Sequence, residues 1–342
     1  MKKVIMIFSC LLLLVGCGKE VNEALKTENE KGEVKEEAKE TVDIINLESD
    51  SRPYAVVINN YPSAARVQSG LNEAYIVYEF PIEGGLTRSL ALYKDKNDVK
   101  IGTVRSARHN YIDYVLENDA IFVHFGWSHE AETQIINMGI ENIDGNYMDP
   151  KPFWRENPEG LATEHTVYTN LNNIISYNKN TKKYRTTTDK DTLLNYAVTD
   201  VDLSKYEDSK EANSIKLTYG YSYNVKFVYN SDTKKYDRYV NGNKHSDYFN
   251  GQQFDAKNII IVLLDWGVLS GQVDAAGSNY LDLYNIGSGN GYYITNGYAI
   301  PITWKKDSRA GQTKYLYGEK EIEVSDGNTY VMFNNDKNLN IG

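Results

Sequence analysis

The sequence has few cysteines and no hydrophobic run long enough to cross a membrane. Only Cys10 and Cys17 are cysteines among its 342 residues. Both lie at the N-terminus, where two lysines precede an apolar run of twelve residues, Val4 to Val15. A run of that length is too short for a transmembrane helix and is typical of a signal peptide. Cleavage before Cys17 would leave a single cysteine, which excludes a disulfide and a thiol catalyst in the mature chain.

The end of the apolar run, "LVGC", resembles a bacterial lipobox. That resemblance implies that residues 1–17 contain a lipoprotein signal peptide and that Cys17 carries the lipid, such as palmitate. The alternative is an ordinary signal peptide with a chance cysteine. We expect the lipoprotein, and therefore a lipid-anchored protein on the extracytoplasmic face of the cell membrane.

Residues 18–50 contain no proline and no aromatic residue, and they carry eleven acidic residues against five lysines, a net charge of −6. Such a segment buries too little apolar surface to offset the entropy of ordering it. It is predicted to be an acidic, disordered tether. The formal charge of the whole chain is −10, so the folded part is only mildly acidic. It lacks the basic face that a phosphate backbone requires, which argues against nucleic acid as a partner.

The sequence also lacks the common catalytic motifs. It contains no G-x-S-x-G, no P-loop, no dinucleotide-binding fingerprint and no H-E-x-x-H. We therefore expect no cofactor. Three histidines, His124, His129 and His165, could in principle form a zinc site, but their spacing matches no strong motif and we expect no metal.

Residues 51–200 alternate between strand-like and helix-like patterns. Continuous apolar runs such as "YAVVINN" and "AYIVYEF" favour strands buried on both faces. The run "AIFVHF" leads to Ser128, a good helix N-cap, with Glu130 in the first helical turn. This region is predicted to be an α/β domain with a mixed sheet flanked by helices.

Residues 205–342 are predicted to be a mostly β domain, which makes the chain a mixture of the α+β and α/β classes. Sixteen of the 28 tyrosines lie beyond residue 205, and tyrosine suits half-buried strand surfaces. A stacking platform for sugar rings is the alternative use of these tyrosines. The Gly-rich "GSGNG" (287–291) is interpreted as a turn, and some helix is expected near "KDTLLNYAV" (190–198).

The stretch "GTVRSARHNYIDY" (102–114) concentrates positive charge. Arg105, Arg108 and His109 would gather about the first turn of a helix that begins near Ser106. Cations are disfavoured there by the helix dipole, so a negative group should lie nearby. That group could be a ligand anion, held with free backbone N–H groups. It could equally be a carboxylate of the same domain, such as Glu79, Glu83 or Asp144.

Three further groups of polar residues are candidates. Ligands bind outside the carboxyl ends of strands in open α/β sheets, and the arginine stretch and the first of these groups occupy that kind of position. In "VHFGWSHE", His124 and Trp127 lie between a strand and a helix. In "YEFPIEGGLTR", Glu79, Glu83 and Arg88 surround a Gly-Gly turn, and the two carboxylates could share acid and base roles. In residues 151–170, Arg155 and the aromatic residues before it could cover a pocket near His165.

The motifs "RPYAVVINNYPSAARVQSGLNEAYIVYEFPIEGGLTR", "IGTVRSARHNYI", "IFVHFGWS", "FWR" and "EHTVYT" resemble the YerB-like lipoproteins of Gram-positive bacteria. "RYVNGNKHSD", "NIIIVLL" and "YAIPITWKK" resemble the second conserved region of that family. The resemblance covers about residues 52–340 and implies lipid anchoring and a two-region build, with no settled reaction. It departs from the family pattern at Thr103, where proline is usual, and at Thr166, where asparagine is usual. The recurring family positions map to Arg52, Pro53, Asn59, Gln68, Ser69, Gly70, Glu79, Glu83, Gly84, Arg88, Arg105, Ser106, Arg108, His124, Trp154, Arg155 and His165.

Three functional hypotheses remain open from sequence. The first is a lipoprotein that binds an anionic cell-envelope component or a protein partner. Its predicted ligand-binding residues are Arg88, Arg105, Arg108, His109, Trp127 and Arg155. The second is a hydrolase or related enzyme acting on cell-wall glycan or peptide, with Glu79, Glu83, His124 and His165 as catalytic candidates; it requires these side chains to converge. The third is a scaffold whose tyrosine-rich region carries a protein partner.

Overall fold

A computed structural model describes residues 41–146, 152–157 and 159–342. The predicted signal peptide, Cys17 and most of the predicted tether lie outside the described residues. The predicted tether extends too far, because its last ten residues contact the folded part of the chain. Ile45 is buried, and the backbone N–H groups of Asp43 and Ile44 donate to the carboxylate of Asp326 at 2.8 and 3.0 Å. The isoleucines in this segment supply the apolar surface that the residues before it lack.

In the first part of the chain the described strands and helices alternate only in part. The strands are β1 Tyr54–Asn59, β2 Ile76–Ile82, β3 Leu86–Tyr93, β4 Lys100–Gly102, β5 Ile121–His124, β6 Asn142–Asp144, β7 Phe153–Arg155, β8 Val167–Asn170 and β9 Tyr196–Ala197. The helices are α1 His109–Glu117, α2 His129–Asn137 and α3 Leu171–Tyr177, which continues as a π-helical turn, Asn178–Lys182. Strands and helices alternate from β4 to β6, in the order β4, α1, β5, α2, β6; β1 to β4 precede the first α-helix, and β6, β7 and β8 follow one another before α3. Short 3-10 turns are Ala65–Val67, Leu71–Glu73, Glu83–Gly85, Thr163–His165, Leu203–Lys205 and Asp336–Asn338.

The remainder of the chain is almost entirely β. Its strands are β10 Lys210–Glu211, β11 Ser214–Gly220, β12 Tyr223–Asn230, β13 Lys235–Val240, β14 Asn243–Lys244, β15 Asp255–Ala256, β16 Asn258–Leu263, β17 Trp266–Val273, β18 Asn279–Leu283, β19 Gly287–Thr295, β20 Tyr298–Lys306, β21 Lys314–Tyr317, β22 Lys320–Glu321, β23 Val324–Ser325, β24 Thr329–Asn334 and β25 Leu339–Ile341. The predicted fold class, a mixed sheet with few helices followed by a mostly β region, is confirmed.

A mixed sheet of twelve strands runs through both parts of the chain. Its order is β22-β21-β20-β19-β16-β24-β2-β3-β1-β5-β6, with β10 paired to β20. The join lies at β24, which is parallel to β16 on one side and to β2 on the other. The predicted domain boundary near residues 200–205 divides the sequence into two regions, but strands from both regions belong to the same sheet.

The two faces of the large sheet bury different partners. Helices α1 and α2 pack on one face, where Tyr78, Phe80 and Phe122 belong to the same hydrophobic cluster as Tyr111. We call this the helical face. The other face, which we call the β face, packs against the six-stranded sheet β14-β13-β12-β11-β25 with β15 and against the small sheet β4-β8-β7. Every residue of β1 and β2 is buried, which explains their continuous apolar sequences.

Of three local predictions, the N-cap is correct, and a helix and a turn are wrong. Ser128 is the N-cap of α2 and accepts a hydrogen bond from the Ala131 backbone, as predicted. The helix expected near residues 190–198 is wrong: the two leucines there are buried and the chain continues into β9. The turn expected at 287–291 is also wrong, since these residues begin β19. Glycine is needed in that strand, because a Cβ at Gly291 would lie 2.2 Å from the Ile261 carbonyl oxygen.

Helix α1 begins at His109, not near Ser106. Ala107 forms backbone hydrogen bonds with Gly126 and Ser128, which keeps this segment extended and paired with the chain after β5. Arg105 is therefore in extended chain, and Arg108 occupies the N-cap position of α1. Arg105 and Arg108 therefore do not share a helical turn, and each has its own environment.

Candidate functional site

A cavity of about 200 Å³ opens where several strands of the first region end. The end of β1, the Glu83–Gly85 turn between β2 and β3, and the chain after β4 form most of its wall. The tip of the β17–β18 hairpin forms the rest. Its lining residues are Asn59, Tyr61, Ile82, Glu83, Gly84, Leu86, Thr87, Arg88, Arg105, Asp274, Ala276 and Ser278. We call this space the arginine cavity.

Glu83, which lines the cavity, forms a buried ion pair with Arg108. Arg108 Nε donates to both Glu83 carboxylate oxygens at 3.1 Å, and its Nη2 also contacts Oε1. The Tyr280 ring lies 4.9 Å from the guanidinium carbon. Burial alone would raise the pKa of Glu83, but the hydrogen bonds and charge of Arg108, helped by Arg88, hold that pKa below its usual value. Glu83 is therefore ionised near neutral pH, and its charge is matched mainly by Arg108.

Arg88 is buried beside this pair without a close carboxylate of its own. Its Nη1 donates to the Ser106 carbonyl oxygen at 2.8 Å, whereas its Nη2 is 3.9 Å from Glu83 Oε1. Its Nε has no hydrogen-bond partner. Burial, and next the charge of Arg108, lower the pKa of Arg88 to about 9. Arg88 is still protonated at neutral pH, but the structure stabilises its charge poorly.

Arg105 is half-buried and is also incompletely paired. Its Nε has no hydrogen-bond partner, and no carboxylate of the described chain lies within salt-bridge distance of it. Burial lowers its pKa; the charge of Glu164 opposes this effect, and that of Arg108 adds to it. A buried cation without a partner is unfavourable unless an anion or water satisfies it. Arg88 and Arg105 are thus the two arginines of the cavity whose guanidinium groups have an Nε–H without a hydrogen-bond partner in the described chain.

Asp274 is the second carboxylate that lines the cavity. It lies at the tip of the β17–β18 hairpin, and its Oδ1 accepts hydrogen bonds from the backbone of Ala276 and Ser278 at 2.9 and 2.8 Å. The lining contains two arginines, Arg88 and Arg105, and two carboxylates, Glu83 and Asp274. Because Glu83 is paired with Arg108, which is not part of that lining, the whole group has formal charges of +3 and −2. The arrangement favours an anionic ligand that can approach the two incompletely paired arginines.

His165 lies next to the cavity and is uncharged near neutral pH. Asn59 Nδ2 donates to His165 Nδ1 at 2.8 Å, which places the ring proton on Nε2. The Tyr61 ring stacks on the imidazole with 4.8 Å between centroids. Burial, and next the charge of Arg105, lower the pKa of His165. An anion bound by Arg105 would lessen the second effect and raise that pKa.

His124 lies on the helical face of the large sheet, in the core. Its Nδ1 is 3.0 Å from the Gly126 carbonyl oxygen and 3.7 Å from Asp144 Oδ1, while its Nε2 has no partner. Its ring packs between Phe122 and Trp127, with centroids 4.8 and 5.5 Å away. Burial lowers its pKa, against the opposing charge of Asp144. His124 and Trp127 therefore belong to the packing beneath α2.

Glu79 lies on the β face, opposite to His124. It is completely buried; Arg238 Nη2 donates to Glu79 Oε2 at 2.7 Å, and Thr87 Oγ1 donates to Oε1 at 2.7 Å. The Tyr223 hydroxyl lies 3.3 Å from Oε1. The sheet separates Glu79 from His124, so the convergence that the hydrolase hypothesis requires of these two residues is not present. Glu79 is instead the centre of a joint between the two sheets.

The two remaining predicted ligand residues, His109 and Arg155, are not part of the arginine cavity's lining. His109 Nε2 is 3.4 Å from Asp282 Oδ1 in β18, and burial lowers the His109 pKa, with Asp282 opposing. Arg155 is exposed and lines a neighbouring cavity that also contains Arg105. The structure thus brings Glu83, Arg88, Arg105 and Arg108 together, places His165 at their edge, and leaves Glu79, His124 and Trp127 elsewhere.

The hairpin residues of this site are not predicted by any pattern in the sequence. Besides Asp274 and Tyr280, the hairpin contributes the Leu281 carbonyl oxygen, which accepts from Asn110 in α1 at 2.8 Å. These contacts join residues about 170 positions apart, as the Asn110–Leu281 separation of 171 shows. Short-range patterns cannot reveal them. The sequence of the β17–β18 hairpin has no feature that distinguishes it from other exposed pairs of strands.

Within the described ranges, no three histidine, cysteine or acidic side chains are placed to hold a metal ion together. Among the helices that the structure describes, none is both long and apolar enough to span a membrane.

The fold and the cavity define a class of protein in which two sequence regions share one mixed sheet. In this chain an arginine cavity lies between strand ends of the first region and a hairpin of the second. Residues 42–185 match the N-terminal domain, and residues 215–331 the C-terminal domain, of a protein of unknown function, DUF3048. The "Putative lipoprotein YerB" of Bacillus subtilis (strain 168) is 31% identical over 261 residues, which are 75% of this chain and 74% of the relative.

A solved structure agrees with these sequence matches. The crystal structure of the YerB protein from Bacillus subtilis aligns with a TM-score of 0.72 at 27% identity, over 85% of this chain and 94% of that one. This chain therefore belongs to the YerB-like family with its two DUF3048 regions, and the resemblance seen in the sequence motifs is confirmed.

Proposed function

We propose that this protein is an extracytoplasmic lipoprotein, anchored to the cell membrane by lipid on Cys17, that binds an anionic cell-envelope component in the arginine cavity. The lipobox resemblance and the name of the Bacillus subtilis relative support the anchor. A cell-wall glycan or a protein partner with acidic groups would supply the anion.

One observation carries the binding proposal: Arg88 and Arg105 line an open cavity and lack close carboxylate partners. Structural arginines are normally paired when buried, as Arg108 is with Glu83. Two incompletely paired guanidinium groups in one cavity can donate several hydrogen bonds to a phosphate or carboxylate. An anion there would relieve the cost of burying Arg88, whose pKa of about 9 reflects that cost.

The hydrolase hypothesis has less support from the same geometry. A general acid needs a carboxyl group that is protonated near the working pH. The pKa of Glu83 is lowered, chiefly through its bonds to Arg108 against the effect of burial, and Glu79 is held in a buried ion pair. Neither carboxylate is placed for that role.

Replacing Arg105 with glutamine is expected to weaken the binding of inorganic phosphate by roughly ten-fold or more, since a charge-assisted hydrogen bond is worth about 1.5–3 kcal/mol. The free energy of unfolding without phosphate should change by less than about 1 kcal/mol, because Arg105 forms no salt bridge with the described chain. Isothermal titration calorimetry and denaturant titration measure the two quantities.

A matched variant tests whether phosphate occupies the arginine cavity. Asp274→Asn removes the hairpin carboxylate while keeping a side-chain oxygen for its backbone hydrogen bonds. Binding should become tighter, because repulsion between Asp274 and the bound anion is removed. Unchanged affinity in both variants would show that any phosphate binds outside this cavity.

A further inference from the structure

A second cavity adjoins the arginine cavity and shares one of its arginines. Its volume is about 340 Å³, and its lining residues are Val104, Arg105, Ser106, Phe125, Asn146, Arg155, Thr163, Glu164 and Val167. Because Arg105 lines both spaces, the two cavities are neighbours on the surface of the first region. Together their linings contain three arginines, Arg88, Arg105 and Arg155.

Arg155 is held in position in the second cavity. Its Nη1 contacts the Thr163 carbonyl oxygen and lies 3.1 Å from Thr166 Oγ1, and its guanidinium carbon is 5.0 Å from the Phe125 ring centroid. Its Nε and Nη2 make no hydrogen bond to the described part of the chain, which leaves donors for a ligand. Arg105 belongs to both cavities, so the two cavities with Arg108 carry four arginines against three carboxylates, Glu83, Asp274 and Glu164, an excess of one positive charge.

An exposed aromatic ring lies at the junction. Tyr61 lines the arginine cavity and is 44% exposed, although it stacks on buried His165. The chain neighbour of His165, Glu164, lines the second cavity. A fixed and exposed tyrosine ring offers an apolar surface to the carbon skeleton of a ligand between two charged groups.

We propose that the two cavities together bind a linear polymer with anionic groups along its chain, two of which contact the arginines at the same time. One group would meet Arg88 and Arg105, the next would meet Arg105 and Arg155, and the linking unit would pass Tyr61. This inference rests on the proposed function, and it identifies the ligand as a polyanion instead of a single anion. Phosphate and carboxylate polymers share this chemistry.

The test compares inorganic phosphate with linear polyphosphate, and then polyphosphate with polygalacturonate, by calorimetry on the full-length protein. Polyphosphate is expected to bind at least about ten-fold more tightly than phosphate after correction for the number of groups, because the second contact is intramolecular. Arg155→Gln should remove this advantage, whereas Arg105→Gln should weaken the binding of both phosphate and polyphosphate. Arg185→Gln, which removes an exposed arginine paired with Asp119, makes the same change in net charge and should have little effect.

The outcomes separate the two proposals. If phosphate binds but polyphosphate binds no more tightly, or if Arg185→Gln weakens the polymer as much as Arg155→Gln does, the polymer inference is overturned and the arginine cavity remains a site for single anions. If none of the three ligands binds, both proposals fail. Preference for polyphosphate or for polygalacturonate identifies which polymer chemistry the two cavities accept.

Discussion

Replacing Arg238 with methionine is expected to lower the free energy of unfolding by about 3–5 kcal/mol. Glu79 and Arg238 are almost completely buried, with their side chains 0% and 1% exposed, and they join the twelve-stranded sheet to the six-stranded sheet. Methionine keeps much of the volume of arginine but leaves the Glu79 carboxylate without its cation. An unpaired buried charge costs far more than the pair contributes. Denaturant unfolding followed by circular dichroism measures the loss.

The double variant Glu79→Gln/Arg238→Met is the control for this prediction. It removes both charges, and glutamine can still accept a hydrogen bond from Thr87, whose hydroxyl now donates to Glu79 at 2.7 Å. Most of the lost stability should return, since no charge is left unpaired. If the double variant were as unstable as the single one, side-chain packing and not charge would dominate this joint.

Replacing Arg108 with glutamine is expected to destabilise the protein by a similar amount, about 3–5 kcal/mol at neutral pH. Glu83 would lose three hydrogen-bond contacts from one guanidinium group and would remain buried beside Arg88 alone. The contrast with Arg105→Gln, which should barely change stability, separates the structural arginine of the cluster from one available to a ligand. Chemical denaturation of the two variants under the same conditions provides the comparison.

The loss of unfolding free energy in Arg108→Gln is expected to become smaller as the pH falls. The pKa of Glu83 is lower in the folded protein than its ordinary value, chiefly because Arg108 overcomes the effect of burial. Its stabilising contribution is therefore present above the unfolded-state pKa and is lost as the pH falls through the lower folded-state value. In Arg108→Gln, burial would instead raise that pKa, so the deficit should shrink on acidification. A deficit independent of pH between 4 and 7 would contradict the assigned role of the pair, because carboxyl groups titrate in roughly that range.

Several strands of the first region and the start of α2 could be predicted from sequence because they depend on local patterns. The apolar runs of β1 and β2 and the N-cap at Ser128 are properties of a few consecutive residues. The glycines of residues 287–291 misled the prediction because their role is long-range: a Cβ at Gly289 would meet the Trp304 ring at 2.7 Å. That packing depends on the neighbouring strand and leaves no local pattern.

The sequence predicts a negative group near Arg105, Arg108 and His109, and the structure pairs Glu83, one of the predicted carboxylates, with Arg108. The arrangement of the other charges cannot be predicted from local patterns. The partner of Glu79, Arg238, lies 159 residues away in the chain. Strand alternation determines the rest: Glu79 and His124 lie on opposite faces of one sheet, which is visible only once the register is known.

Anomalous diffraction from crystals soaked in selenate tests the central claim most directly, because selenate is an anion of phosphate-like shape whose selenium atom can be located. We predict a selenium peak in the arginine cavity, with selenate oxygens within hydrogen-bond distance of the Arg88 and Arg105 guanidinium groups, and no such peak in Arg105→Gln crystals. A cavity without selenium in wild-type crystals that bind selenate elsewhere would contradict the claim, and would make Arg88 and Arg105 part of the fold alone.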